Sequence, residues 1–183
     1  MKSWTKRFLL GLMACVVTFS VPLESHAAAR LRNGYYWAGN SPTVYFQFQG
    51  FDSGQKTAIR SAMTTWNAVR NFSGNPMVTL KETTSASQAD GNRVYASQRP
   101  FASYYGYTYK YPVDNPGPFR YCEVEINLAK NLSLGAKNDY VDFQSVVVHE
   151  LGHALGVAHC HESKQNCSFS NCSTFVMNPD VPI

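Results

Sequence analysis

The segment His149-Glu150-Leu151-Gly152-His153-Ala154-Leu155-Gly156-Val157-Ala158-His159 constrains this chain more than any other stretch. It lies in a run that opens at Asp142, a residue type that caps helices, and that Gly156 ends. His149 and His153 stand four apart, so on a helix they lie one above the other on a single face. Gly156 is free to take the backbone conformation that turns the chain, and His159 then swings back toward the same point. Three imidazoles at this spacing fit one Zn²⁺ at about 2.0–2.1 Å each and leave a fourth tetrahedral position open to water, which marks a catalytic site rather than a structural one. Zinc is favoured over redox metals because nitrogen ligands with an open tetrahedral position suit it. Glu150 is not needed as a ligand and is placed to take a proton from water at the open position. Five fixed positions of this kind coincide by chance on the order of once in 10⁵ chains of this length. A core helix that merely happens to carry these residues would also bury polar rings without partners. The chain has five His; His26 is far upstream, so apart from the three ligands only His161 remains, read as a solvated neighbour. No second zinc site can be built from what is left.

The first 27 residues read as an address. Met1 to Arg7 is basic, Phe8 to Phe19 is apolar, and Ser25-His26-Ala27 places small residues where a signal peptidase reads. This predicts a secretory signal peptide over 1–27, cut after Ala27, with a single domain over 28–183 and an extracellular or periplasmic location. The apolar run is short for a membrane anchor, so no stable membrane association is expected once it is removed. The formal charge of +4 comes from 16 basic and 12 acidic residues; removing Lys2, Lys6, Arg7 and Glu24 leaves 13 against 11. A balance of that size is no footprint for nucleic acid. In an oxidising compartment the four remaining cysteines, Cys122, Cys160, Cys167 and Cys172, are expected to form two disulfides, with three pairings open.

Along the expected domain, Thr43 to Phe48 reads as a strand, and a helix opens at Asp52 or Ser53 with Ala58, Ile59, Ala62, Met63, Trp66 and Val69 on its apolar face. Met77–Glu82, Arg93–Ser97 and Glu123–Leu128 read as strands, with a further one inside 101–111. Asp142 caps the histidine-bearing helix, which runs to about Leu155. The order predicts a mixed sheet with helices packed on it. Residues 101–111 hold five Tyr; their composition alone fits a half-buried strand whose exposed face uses Tyr.

H-E-x-x-H-x-x-G-x-x-H resembles the signature of the metzincin zinc endopeptidases. That family carries a methionine turn beneath the metal, and Thr174-Phe175-Val176-Met177-Asn178-Pro179 is similar to it. The Val-Met-x-Pro pattern, the lead-in Tyr140 to Val146 and the pair Ile126-Asn127 are most similar to the matrixin branch. The resemblance implies an α+β, zincin-type catalytic domain: a mixed twisted sheet packed on two main helices, with a small irregular C-terminal part. It implies that His149, His153 and His159 hold one catalytic Zn²⁺, that Glu150 is catalytic, and that Met177 forms the turn. It makes the strand near 103–111 the edge of a cleft on which an extended peptide lies, with Tyr104, Tyr105, Tyr107 and Tyr109 as substrate-binding candidates. The departures are Cys160, where matrixins commonly carry Ser, and Asn178-Pro179, where a Tyr is usual in other branches. The matrixin loop that supplies His and Asp to structural zinc and calcium has no counterpart, so structural Ca²⁺ is without support.

A secreted, monomeric zinc endopeptidase acting on proteins or peptides is therefore expected, restrained by export or by a separate protein inhibitor. Residues 28–41 hold no Cys or His to occupy the zinc, so activity is expected without removal of a latency segment. Two other readings stand beside it: a zinc hydrolase of non-peptide amides such as a cell-wall component, and a secreted binding module with a silent metal site.

Overall fold

A computed structural model of the chain describes residues 36–39, 42–70, 74, 77–111, 117–135 and 137–159. The expected signal peptide, Cys160, His161, Cys167, Cys172 and Met177 lie outside the described residues.

Strand β1 (Thr43–Gln49) alternates as its sequence requires, with Val44 and Phe46 buried and Tyr45 and Gln47 partly exposed. Asp52 then starts α1 (Ser53–Asn67) through a capping box: its carboxylate accepts from the Gln55 backbone N–H at 2.8 Å, and the Gln55 amide oxygen accepts from the Asp52 N–H at 3.0 Å. Ala58, Ile59, Ala62 and Met63 form the buried face of α1. Val69, expected on that face, falls beyond the helix end and is exposed. Strand β2 (Thr79–Glu82), the single-turn helix α2 (Ala86–Ala89), and strands β3 (Arg93–Ser97), β4 (Gly106–Tyr111) and β5 (Tyr121–Asn127) follow. A short parallel pair, β6 (Leu132–Ser133) and β7 (Val141–Asp142), leads into α3 (Phe143–Ala154).

The main sheet runs β2-β1-β3-β5-β4. Its first four strands are parallel, and β4 is antiparallel to β5 at one edge. The parallel pair β1–β2 needs a crossover, which α1 supplies, and α3, which follows the last strand, packs beside α1 against the sheet. There Phe46, Val94, Val124 and Ile126 of the sheet meet Ile59, Val147 and Leu151 of the helices, all shielded from solvent. Each such side chain contributes about 1.5–3 kcal/mol on leaving water. The architecture is the expected α+β sheet on two main helices.

Cys122 corrects one expectation. It heads the inward row Cys122, Val124, Ile126 of β5, is 0% exposed, and carries a free thiol, its Sγ 3.9 Å from the Ala154 carbonyl oxygen. Strand alternation places it in the core, and burial pushes its pKa up to about 12. It is a small apolar filler there, not half of a cross-link.

Candidate metal centre

Helix α3 presents the site. Asp142 caps it, accepting from Ser145 N–H at 2.8 Å, and also holds the preceding loop by accepting from Gly135 N–H at 3.1 Å. The indole N–H of Trp66 donates to the Val148 carbonyl at 2.8 Å, and that of Trp37 to the Ala154 carbonyl at 2.8 Å. The helix is thus tied to α1 and to the segment before β1 on either side of the histidines. At its end Gly156 takes φ +88°, Gly156 N–H bonds the His153 carbonyl at 3.0 Å, and Val157 N–H bonds the Gly152 carbonyl at 2.9 Å. This paired closure is a Schellman motif, and it requires the left-handed residue that glycine supplies. The reversal brings His159 back over the helix.

The three imidazoles converge. His159 Nε2 lies 3.1 Å from His149 Nε2 and 2.9 Å from His153 Nε2, and the three form a metal-ligand group. His153 Nδ1 is 2.9 Å from the Val157 carbonyl, which can only accept, so Nδ1 carries the hydrogen and Nε2 keeps its lone pair. Burial holds the His153 pKa down at about 3, so the ring is neutral, the state a metal ligand needs. A tetrahedral ion with bonds of about 2.0–2.1 Å separates its ligand nitrogens by roughly 3.3–3.4 Å. A shared proton can bridge a pair of these nitrogens; an ion satisfies all three at once. The donor set therefore fits Zn²⁺.

Glu150 is 6% exposed and turns toward β4. Its Oε2 accepts from the Thr108 hydroxyl at 2.7 Å. Burial pushes its pKa up to about 7, against the smaller opposing effects of the Thr108 hydrogen bond and the Lys110 charge.

The four tyrosine candidates do not gather at the histidines. Thr108 faces α3, so its strand neighbours Tyr107 and Tyr109 point to the opposite face of the sheet. There the hydroxyls of Tyr109, Tyr95 and Tyr104 lie 3.0, 3.1 and 3.4 Å from the carboxylate of Glu125, and Arg99 Nε is 2.8 Å from it. Tyr107 packs between the rings of Tyr104 and Tyr109, and Tyr105 is exposed beside the start of β4. Glu125 itself is 0% exposed. Burial alone would raise its pKa; the hydroxyls of Tyr109 and Tyr95 and the Arg99 guanidinium act against that, and the carboxyl is held below the ordinary carboxylate value. Neither Glu125 nor Thr108 stands out in the sequence. Only strand alternation hinted at their faces, and nothing local named their partners.

The family model for matrixin, a peptidase family, matches residues 51–169, well over half of the chain. The chain belongs to that family, whose members are zinc metallopeptidases of the metzincin type. Among solved structures the chain is similar to that of myroilysin, with a TM-score of 0.44 and 18% identity. The match covers 70% of this chain and 53% of that one, so it spans about half the length of the relative. Comparison with the curated proteins gives no sequence match.

Proposed function

We propose that this chain is a secreted zinc endopeptidase in which Glu150 is the general base. The observation that carries this reading is the convergence of the His149 and His153 Nε2 atoms within 3.1 Å of His159 Nε2, with Glu150 next in sequence to the first of them. Zinc held there supplies Lewis acidity, bringing the pKa of bound water toward neutrality and polarising the scissile carbonyl. His153 keeps its lone pair on Nε2 through the Nδ1 hydrogen bond to Val157. Glu150, its carboxyl raised toward neutrality by burial, takes the proton from the attacking water and returns it to the leaving amine. Thr108 bonds Oε2, so Oε1 is the oxygen left for that proton. Strand β4 lies at the sheet edge and next to α3, which supports an extended protein or peptide substrate adding to its open side.

Export rests on the basic and apolar pattern of residues 1–27. Among the described residues no helix is long and apolar enough to cross a membrane. The reading includes a monomer with a single zinc ion. Family membership favours a peptide substrate over a non-peptide amide, and Glu150, next in sequence to the first of three converging ligands, favours an enzyme over a silent module.

Glu150→Ala tests the reading. The variant is expected to bind zinc as the wild type does and to lose about 10²–10⁴-fold in turnover of an unstructured protein substrate. Near wild-type turnover with zinc bound would remove Glu150 from the chemistry.

A further inference from the structure

We propose that Thr108 is a positioning residue for Glu150, and that β4 holds the general base through two successive inward positions, Gly106 and Thr108. The proposal rests on the reading of Glu150 as that base. Thr108 is 7% exposed, and its Oγ1 lies 2.7 Å from Glu150 Oε2 and 2.9 Å from the Glu150 backbone oxygen. The one hydroxyl hydrogen is shared between two acceptors of the same residue, with the shorter contact to the carboxylate. As a β-branched residue in a strand, Thr108 is stiff about χ1, so the direction of that hydroxyl is set by the backbone of β4.

Gly106 acts by what it lacks. A Cβ at this position would sit 2.6 Å from Glu150 Cγ and 3.1 Å from both Cδ and Oε1. Carbon atoms do not approach to 2.6 Å, so any side chain here would push the carboxylate out of its place. The bare backbone leaves a slot that the Glu150 stem fills, and Thr108, two residues on, fixes its end. Strand β4 is itself registered on β5, with Gly106 opposite Ile126 and Thr108 opposite Val124. The glutamate is therefore held from the sheet edge as well as from its own helix. Oε2 is committed to Thr108 and Oε1 is aimed by that commitment. Catalytic groups displaced by about 1 Å lose on the order of 10²-fold in rate, so this hold acts on turnover rather than on substrate affinity.

The test uses full-length protein purified with zinc, assayed on an unstructured protein and on a peptide drawn from its cleavage products. Thr108→Val keeps the shape and removes the hydroxyl. It is expected to lower kcat about 10- to 100-fold, the range for losing a hydrogen bond to a charged group, with KM within about 2-fold on the same scale. Thr108→Ser restores the donor and is expected to recover kcat to within about 5-fold of wild type. Zinc content and zinc affinity, measured by competition with a chromogenic chelator, should not move in either variant. In a Glu150→Ala background Thr108→Val should have no further effect, because Thr108 acts only through the carboxylate. Gly106→Ala should lower kcat in the same way. Should Thr108→Val fold poorly, Thr108→Ala carries the same expectation. An unchanged kcat in Thr108→Val overturns the proposal. So does a loss that Ser does not repair, or one that persists undiminished beside Glu150→Ala. Glu150→Ala with wild-type turnover would instead sink the general-base reading itself; loss in Glu150→Ala with none in Thr108→Val removes only the positioning role.

Discussion

Removing the tyrosine hydroxyls around Glu125 should destabilise the fold in a way that depends on pH. Glu125 is a carboxylate with no solvent contact, and the hydroxyls of Tyr109 and Tyr95 converge on its Oε2 at 3.0 and 3.1 Å. Tyr109→Phe and Tyr95→Phe keep the rings and delete one donor each. A hydrogen bond to a charged group contributes about 1.5–3 kcal/mol. Each single variant should fall near the lower end, about 1.5 kcal/mol, because the other phenol can tighten on the same oxygen. The double variant has no such reserve. It should lose more than the sum, about 4 kcal/mol, with a coupling of roughly 0.5–1 kcal/mol. The sign of the pH dependence follows from the direction of the Glu125 shift. Its folded pKa is depressed, so the unfolded chain binds more protons in the acid range, and the stabilisation is present above the unfolded value of about 4.3. It is lost as pH falls through the folded value. Variants that hold the carboxylate less tightly should therefore differ most from wild type at neutral pH and approach it in acid. Urea denaturation at pH 7, 5, 4 and 3, followed by fluorescence, measures this. Single variants within about 0.3 kcal/mol of wild type at pH 7, below the smallest expected loss, would refute the reasoning. So would losses that stay constant down to pH 3.

Further outcomes follow from the packing. Ile59→Ala, at a position with no solvent contact between α1 and the sheet, should cost about 2–5 kcal/mol in the same denaturation assay. Trp37→Phe removes the indole bond to the last turn of α3 and should cost about 1 kcal/mol, seen as a fall of about 2–4 °C in the thermal midpoint. Cys122 should resist alkylation in native protein and react on unfolding, since its thiol is buried and its pKa is pushed up to about 12. Peptide mapping that finds Cys122 labelled in native protein, or cross-linked, would contradict this placement.

The convergence of the three histidines is legible in the sequence because helix periodicity and one glycine fix it locally: His149 and His153 share a face of α3, and Gly156 turns the chain. The same holds for α1, whose cap and inward residues lie within 15 positions. Thr108 is not legible, because its meaning depends on which residue of α3 sits opposite β4, a contact across 42 positions. Composition alone reads the tyrosines of 101–111 as the exposed face of a half-buried strand, and only the family resemblance makes them binding candidates; the hydroxyls of Tyr104 and Tyr109 are committed to Glu125, an acidic residue in the middle of a strand that local pattern reads as solvent-facing. Cys122 misleads in the other direction. An even count of cysteines argues for pairing, while the alternation Cys122, Val124, Ile126 points inward and decides its fate. The short helix α2 and the β6–β7 pair are too brief for any periodicity to announce them.

Zinc removal and return is the most direct measurement of the site built by His149, His153 and His159. Purified full-length protein should contain one zinc per chain by elemental analysis, lose both the metal and its proteolytic activity to a chelator, and regain activity as one equivalent of zinc is added back. His153→Ala should bind zinc far more weakly under the same conditions, since it removes a ligand whose free Nε2 is fixed by the bond to Val157. Full proteolytic activity in protein shown to be free of metal would contradict the assignment.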